Sequence, residues 1–121
     1  MGIKLVIVDD APFIREAVRN AVRDTEIELV AEAADGEEAI TVVMKKNPDV
    51  VLMDMVLPKK NGIEATAEIL EKNPKIKIIA FTTLDQEGLL LKALEAGCCN
   101  FLPKPFTTEK LLKIVRSVLG E

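Results

Sequence analysis

Five short apolar runs, each followed by a longer amphipathic segment, recur along the chain, and this alternation restricts the fold more than any other feature. Leu5-Val6-Ile7-Val8 forms the first run and stops at Asp9-Asp10. Val50-Val51-Leu52-Met53 forms the third and stops at Asp54, while residues 28–33, 76–81 and 100–102 supply the second, fourth and fifth. Between the runs, apolar residues return at helical spacing. After Pro12 they are Phe13, Ile14, Ala17, Val18, Ala21 and Val22; after Asp35, Ala39, Val42 and Val43; after Asn61-Gly62, Ile63, Ala67 and Leu70. A fourth helix is predicted over about 86–96, stopped by Gly97. A fifth, capped by Thr107 or Thr108, carries Leu111, Ile114, Val115, Val118 and Leu119.

Strands that are apolar throughout belong to parallel sheets covered by helices on both faces, and the alternation is that of an α/β doubly wound fold. A five-stranded parallel sheet with five helices is therefore predicted, and right-handed crossovers leave few topologies for it. A length of 121 residues corresponds to one domain spanning 1–121, and 49% apolar residues suffice for its core.

Charge and composition exclude several classes. The net charge is -4, and no Lys/Arg cluster offers a footprint for direct nucleic-acid binding. No apolar run approaches the roughly 20 residues of a membrane span, and the first residues lack the pattern of a signal peptide. No membrane insertion is expected, and the expected location is cytoplasmic. Cys98 and Cys99 are neighbours, poorly placed for a disulfide, and with no histidine in the chain a zinc site lacks ligands. Both read as reduced thiols.

In doubly wound sheets, ligands gather at the carboxyl ends of the strands. There this chain delivers Asp9 and Asp10 after the first strand, Asp54 at the third, Thr82 at the fourth and Lys104 after the fifth. Two acids and Pro12 in the first turn repel phosphate and attract a hard cation, where phosphate-binding relatives of the fold place glycines. Mg²⁺ suits a few carboxylates plus a phosphoryl oxygen. Asp54 then reads as a nucleophile toward phosphorus, Asp9 and Asp10 as metal ligands, and Lys104 as partner of the phosphoryl group. Thr82 can donate its hydroxyl once that group is in place.

These residues, in register with five strands, resemble the response regulator receiver family, single-domain CheY-like type, over essentially the whole chain. The resemblance rests on the acidic pair Asp9-Asp10, on Asp54 followed by Leu57-Pro58 and Gly62, on Thr82, and on Lys104-Pro105-Phe106. It implies strand order 2-1-3-4-5 and Asp54 as the site of 4-aspartylphosphate. It also implies the Val56 carbonyl as a third protein ligand to Mg²⁺, a cis Lys104-Pro105 bond, and Thr82 and Phe101 as switch residues. A histidine kinase would be the phosphodonor, and the output protein would dock on the fourth helix, fifth strand and fifth helix. Such a chain speeds only its own phosphorylation and dephosphorylation and is not classed as an enzyme.

Departures from the family pattern carry expectations of their own. Thr83 stands where the family usually has Ala or Gly, which crowds access to the acceptor. Val56 and Leu84 are apolar where polar side chains often orient the attacking water, so slow self-dephosphorylation is expected. Cys98, Cys99 and Asn100 replace the acidic residues by which winged-helix relatives pair, so a monomer is expected. Asp24, Asp35 and Asp49 read as caps or turn residues, and Asp85 as the cap of the fourth helix. Leu90, Ala93 and Leu94 should share a buried face, leaving Leu89 or Leu91 partly exposed. Two rival classes remain for comparison. A haloacid-dehalogenase-like phosphohydrolase would want its nucleophile after the first strand in an Asp-x-Asp pattern. A flavodoxin-like FMN carrier would want a glycine-rich first loop and aromatic residues to hold the ring.

Overall fold

Each apolar run becomes one strand of a single parallel sheet in the computed structural model, which describes residues 2–83, 85 and 87–120. In chain order the elements are β1 (Ile3–Val8), α1 (Pro12–Val22), β2 (Ile27–Ala33), α2 (Gly36–Lys46) and β3 (Val50–Asp54). They continue with α3 (Gly62–Lys72), β4 (Lys77–Thr83), α4 (Glu87–Ala96), β5 (Asn100–Lys104) and α5 (Thr108–Val118). The strand order is β2-β1-β3-β4-β5, so the order reverses between β1 and β3, the crevice in which such folds bind ligands. β5 runs to Lys104 and takes in Pro103, which lacks a ladder donor; its place at the edge of the sheet makes that tolerable.

The two-residue period of the strands divides the core in two. Val6, Val8, Val51, Met53, Ile78 and Ala80 face α2, α3 and α4. Leu5, Ile7, Leu52, Ile79, Phe81 and Leu102 face α1 and α5, meeting Val18, Val22, Leu111 and Val115. Local chemistry fixes the helix starts. Asp35, Asn61 and Thr107 accept from the backbone N–H groups of Glu38, Glu64 and Lys110 at 2.8, 2.9 and 3.1 Å. Glu38 in turn accepts from the N–H of Ala34, the residue before the cap, at 2.7 Å. Asp49 accepts from the Lys4 N–H, and Asp24 holds a left-handed turn at φ 63°, so all three acids read as caps or turns behave so. Asp85 accepts a hydrogen bond from the Thr83 hydroxyl; Gln86, which precedes α4, lies outside the described residues.

Three helix faces differ from the sequence expectation. Phe13 is 72% exposed and Ala17 is exposed, because α1 turns Val18 and Val22 inward and Phe13 stands about 140° round the helix from Val18. On α3 the buried face is Ala65, Thr66 and Ile69, which leaves Ala67 outside. On α4, Ala93 is buried with Leu90 half-buried beside it, but Leu94 is 44% exposed, about 100° from Ala93. Leu91 is exposed, as expected of one leucine in the run.

Among the described residues, no helix is long and apolar enough to cross a membrane. Cys98 and Cys99 are free thiols; burial pushes the Cys98 thiol up to about 11, so it stays protonated and inert.

Candidate functional site

Asp9, Asp54 and Lys104 follow Ile7, Leu52 and Leu102 by two residues each, so all three share the strand phase that faces α1 and α5. The parallel register sets these strand ends side by side, with Asp54 opposite Phe81 and Lys104 opposite Thr83. Asp9 and Asp54 are buried, whereas Asp10 is exposed. One carboxylate oxygen from each of Asp9, Asp10 and Asp54 lies within 4.8 Å of the others.

The two buried carboxylates are held alike. Asp9 Oδ1 accepts from the Ala11 N–H and Asp54 Oδ1 from the Val56 N–H, both at 3.0 Å. Each Oδ2 faces the same ammonium: Lys104 Nζ donates to Asp9 at 2.7 Å and to Asp54 at 3.2 Å. The lysine crosses the sheet edge from β5 to do so, and the Lys104–Pro105 peptide at its base is cis. Burial is the largest influence on the Asp54 carboxyl and raises its pKa above the ordinary aspartate value. The Val56 N–H and Lys104 oppose that rise, and the Asp9 charge adds to it. A more basic carboxylate is a better nucleophile, provided it is ionised.

The other expected residues surround this centre. Val56 touches it through its N–H and is 51% exposed. Thr82 is buried at the end of β4, one residue beyond Phe81, and pairs across the ladder with Pro103. Phe101 is half-buried against the cluster on the α2–α4 side, opposite Ala80 in register. Thr83 is exposed, and Leu84 lies outside the described residues. Gly62 closes the far side: a Cβ there would fall 2.0 Å from the Asp54 carbonyl oxygen, so only glycine lets α3 begin so close to β3.

Arg15 and Phe81, both absent from the sequence expectation, contact the site residues. Arg15 Nη1 donates to the Asp9 carbonyl at 2.7 Å while its Nε reaches Glu32 at 3.2 Å, and Arg19 Nε binds the same glutamate at 2.9 Å. The four-residue spacing of Arg15 and Arg19 on one helix face was a signal, but the acceptor on β2 was not readable. Phe81 places its ring centroid 4.7 Å from Lys104 Nζ. Its position in an apolar run gave no hint of that contact.

The family model of the response regulator receiver domain matches residues 5–116. The chain belongs to the response regulator receiver family. This receiver domain is 39% identical to protein CcdB of Bacillus subtilis over 117 residues, 97% of the chain and 98% of the relative. It is also 39% identical to chemotaxis protein CheY of Listeria monocytogenes over 111 residues, 92% of the chain and 93% of the relative. Among solved structures it resembles a CheX-CheY-BeF3-Mg²⁺ complex from Borrelia burgdorferi, with a TM-score of 0.90 and 30% identity. That likeness covers 98% of the receiver domain and 90% of the solved chain. The doubly wound fold and its strand order are those expected, and the phosphohydrolase alternative finds no support.

Proposed function

We propose that the whole chain, 1–121, is one receiver domain that accepts a phosphoryl group on Asp54 from a histidine kinase and thereby switches the surface seen by an output protein. The observation that carries this reading is the Lys104 ammonium bridging two buried carboxylates at the sheet's switch point. Hard carboxylate oxygens within 4.8 Å of one another suit Mg²⁺, so Asp9, Asp10 and Asp54, with the Val56 carbonyl, would hold it. When bound, the ion neutralises charge on the acceptor and on the incoming phosphoryl oxygens.

Asp54 Oδ2 attacks the phosphorus of the donor. The new O–P bond forms as the bond to the donor's imidazole nitrogen, or to the oxygen of a small acyl phosphate, breaks. Lys104 moves from pairing with Asp54 to pairing with a phosphoryl oxygen, and Thr82 donates its hydroxyl to another. Each such charge-assisted hydrogen bond contributes roughly 1.5–3 kcal/mol, enough to shift a two-state equilibrium by one to two decades. Inward movement of Thr82 frees space for Phe101, which carries the change to α4, β5 and α5. Leu91 and Leu94 are exposed there, and that face would meet the partner. The domain turns over no separate substrate; a cytoplasmic monomer acting on protein partners, without nucleic acid, is the setting this reading fits.

Amide spectra recorded with Mg²⁺, before and after addition of acetyl phosphate, test the switch. The reading expects shifts at residues 54–57 together with shifts at Thr82, Phe101 and along α4. Shifts confined to the acceptor loop would overturn the switching role.

A further inference from the structure

We propose that Phe81 is a positioning residue for Lys104: its ring face keeps the ammonium above the acceptor when the carboxylates that now hold it are engaged elsewhere. The proposal rests on the reading of Asp54 as phosphoryl acceptor. Lys104 Nζ has three partners, namely Asp9 Oδ2, Asp54 Oδ2 and the face of Phe81, whose centroid is 4.7 Å away. That distance is within the range in which a ring quadrupole attracts a cation, and the site is largely desolvated, with the lysine side chain only 17% exposed.

The three partners differ in what happens to them during the reaction. Both carboxylates would be drawn to a bound Mg²⁺, and Asp54 becomes an acyl phosphate, which moves its negative charge from the carboxylate to the phosphoryl oxygens. The ring binds no metal and changes no charge, so its attraction persists through every step. A lysine stem is long and flexible, and an ammonium that loses both anions tends to swing toward water. The ring opposes that swing at the moment the phosphoryl oxygens arrive.

Phe81 is itself fixed. It is fully buried on β4, directly opposite Asp54 in the ladder. Phe106 packs against it edge-to-face, with centroids 5.7 Å apart and planes at 69°. Phe106 lies two residues after Lys104, so the segment that carries the lysine also supplies the ring that braces Phe81. An aliphatic residue at position 81 would fill the same space but offer the cation no electrostatic hold.

The test combines one spectroscopic signature with two substitutions in the full chain. In wild type, the ring should move the Lys104 ε-methylene protons upfield by several tenths of a ppm, and Phe81→Leu should abolish that shift. With saturating Mg²⁺, Phe81→Leu should be phosphorylated by acetyl phosphate about five- to tenfold more slowly while its Mg²⁺ affinity stays within twofold of wild type. Phe81→Tyr, which keeps the ring face, should recover most of the rate. Lys104 protons at ordinary shifts in wild type would overturn the proposal without any variant, even if Phe81→Leu failed to fold. An unchanged rate in Phe81→Leu, or a parallel loss of rate and Mg²⁺ affinity, would also overturn it. Absence of phosphorylation in wild type would instead remove the acceptor reading, and this inference with it.

Discussion

Lys104 Nζ lies 3.2 Å from Asp54 Oδ2, joining residues fifty positions apart in the chain across the end of the sheet. The same ammonium is 2.7 Å from Asp9, so one cation offsets two buried carboxylates where a metal would otherwise do so. A metal held by Asp9 and Asp54 would draw on the two carboxylates that Lys104 now bridges, so the two cations are predicted to compete, with measurable consequences.

Replacing Lys104 by Met removes the competitor. Mg²⁺ should then bind several-fold more tightly, while the metal-free protein loses stability because two buried carboxylates lack their cation. Phosphorylation by acetyl phosphate should slow at least tenfold, since no ammonium meets the developing charge. Titration calorimetry checks the first point, and equal or weaker Mg²⁺ binding would count against the bridge described here.

The Asp54 carboxyl predicts a pH dependence of definite sign. Burial raises its pKa in the folded protein. Stability associated with a raised group is fully present below the unfolded value, about 3.9, and is lost as pH rises through the folded value. Metal-free wild type should therefore lose stability relative to Asp54→Asn as pH rises above about 4. At pH 7 the Asn variant should melt a few °C higher, and near pH 3.5 the gap should close. An Asn variant melting below wild type at pH 7 would refute this.

Close packing at the acceptor makes Gly62→Ala costly. The added Cβ meets backbone atoms, the Asp54 carbonyl oxygen at 2.0 Å and Met55 Cα at 2.7 Å, so β3 or α3 must move. A loss of about 1–3 kcal/mol is expected, visible as a clearly lowered melting temperature, with weaker Mg²⁺ binding because the end of β3 shifts. A melt superimposable on wild type would show that the loop accommodates the methyl group freely.

Much of this site was legible in the sequence, and the reason is topological. Parallel strands end at one edge, so polar residues closing the apolar runs had to converge, and Asp9, Asp54 and Lys104 even share a phase with their strands' core residues. Helix faces were less legible. Alanine and leucine sit on either side of a helix at little cost, so Ala17, Ala67 and Leu94 matched the period yet lie outside. Contacts between segments distant in sequence, such as Arg15 with Glu32 or Phe81 with Lys104, leave no periodic trace at all.

Val56 governs the lifetime of the modified state on this account. Its N–H holds Asp54, and its exposed side chain is apolar, offering an attacking water no hydrogen bond. Val56→Asn supplies one and should shorten the phosphoryl half-life several-fold, with the forward rate little changed. Following the decay of the phosphorylated mass after donor removal decides the point. An unaltered half-life would mean that water is oriented by other groups.

The most direct measurement is intact mass after incubation with Mg²⁺ and acetyl phosphate, for wild type and Asp54→Ala side by side. Wild type should gain the mass of one phosphoryl group, and Asp54→Ala should gain none. An adduct on both chains would place the acceptor elsewhere, and no adduct on either, with inorganic phosphate accumulating, would contradict a lasting phosphoacceptor switch.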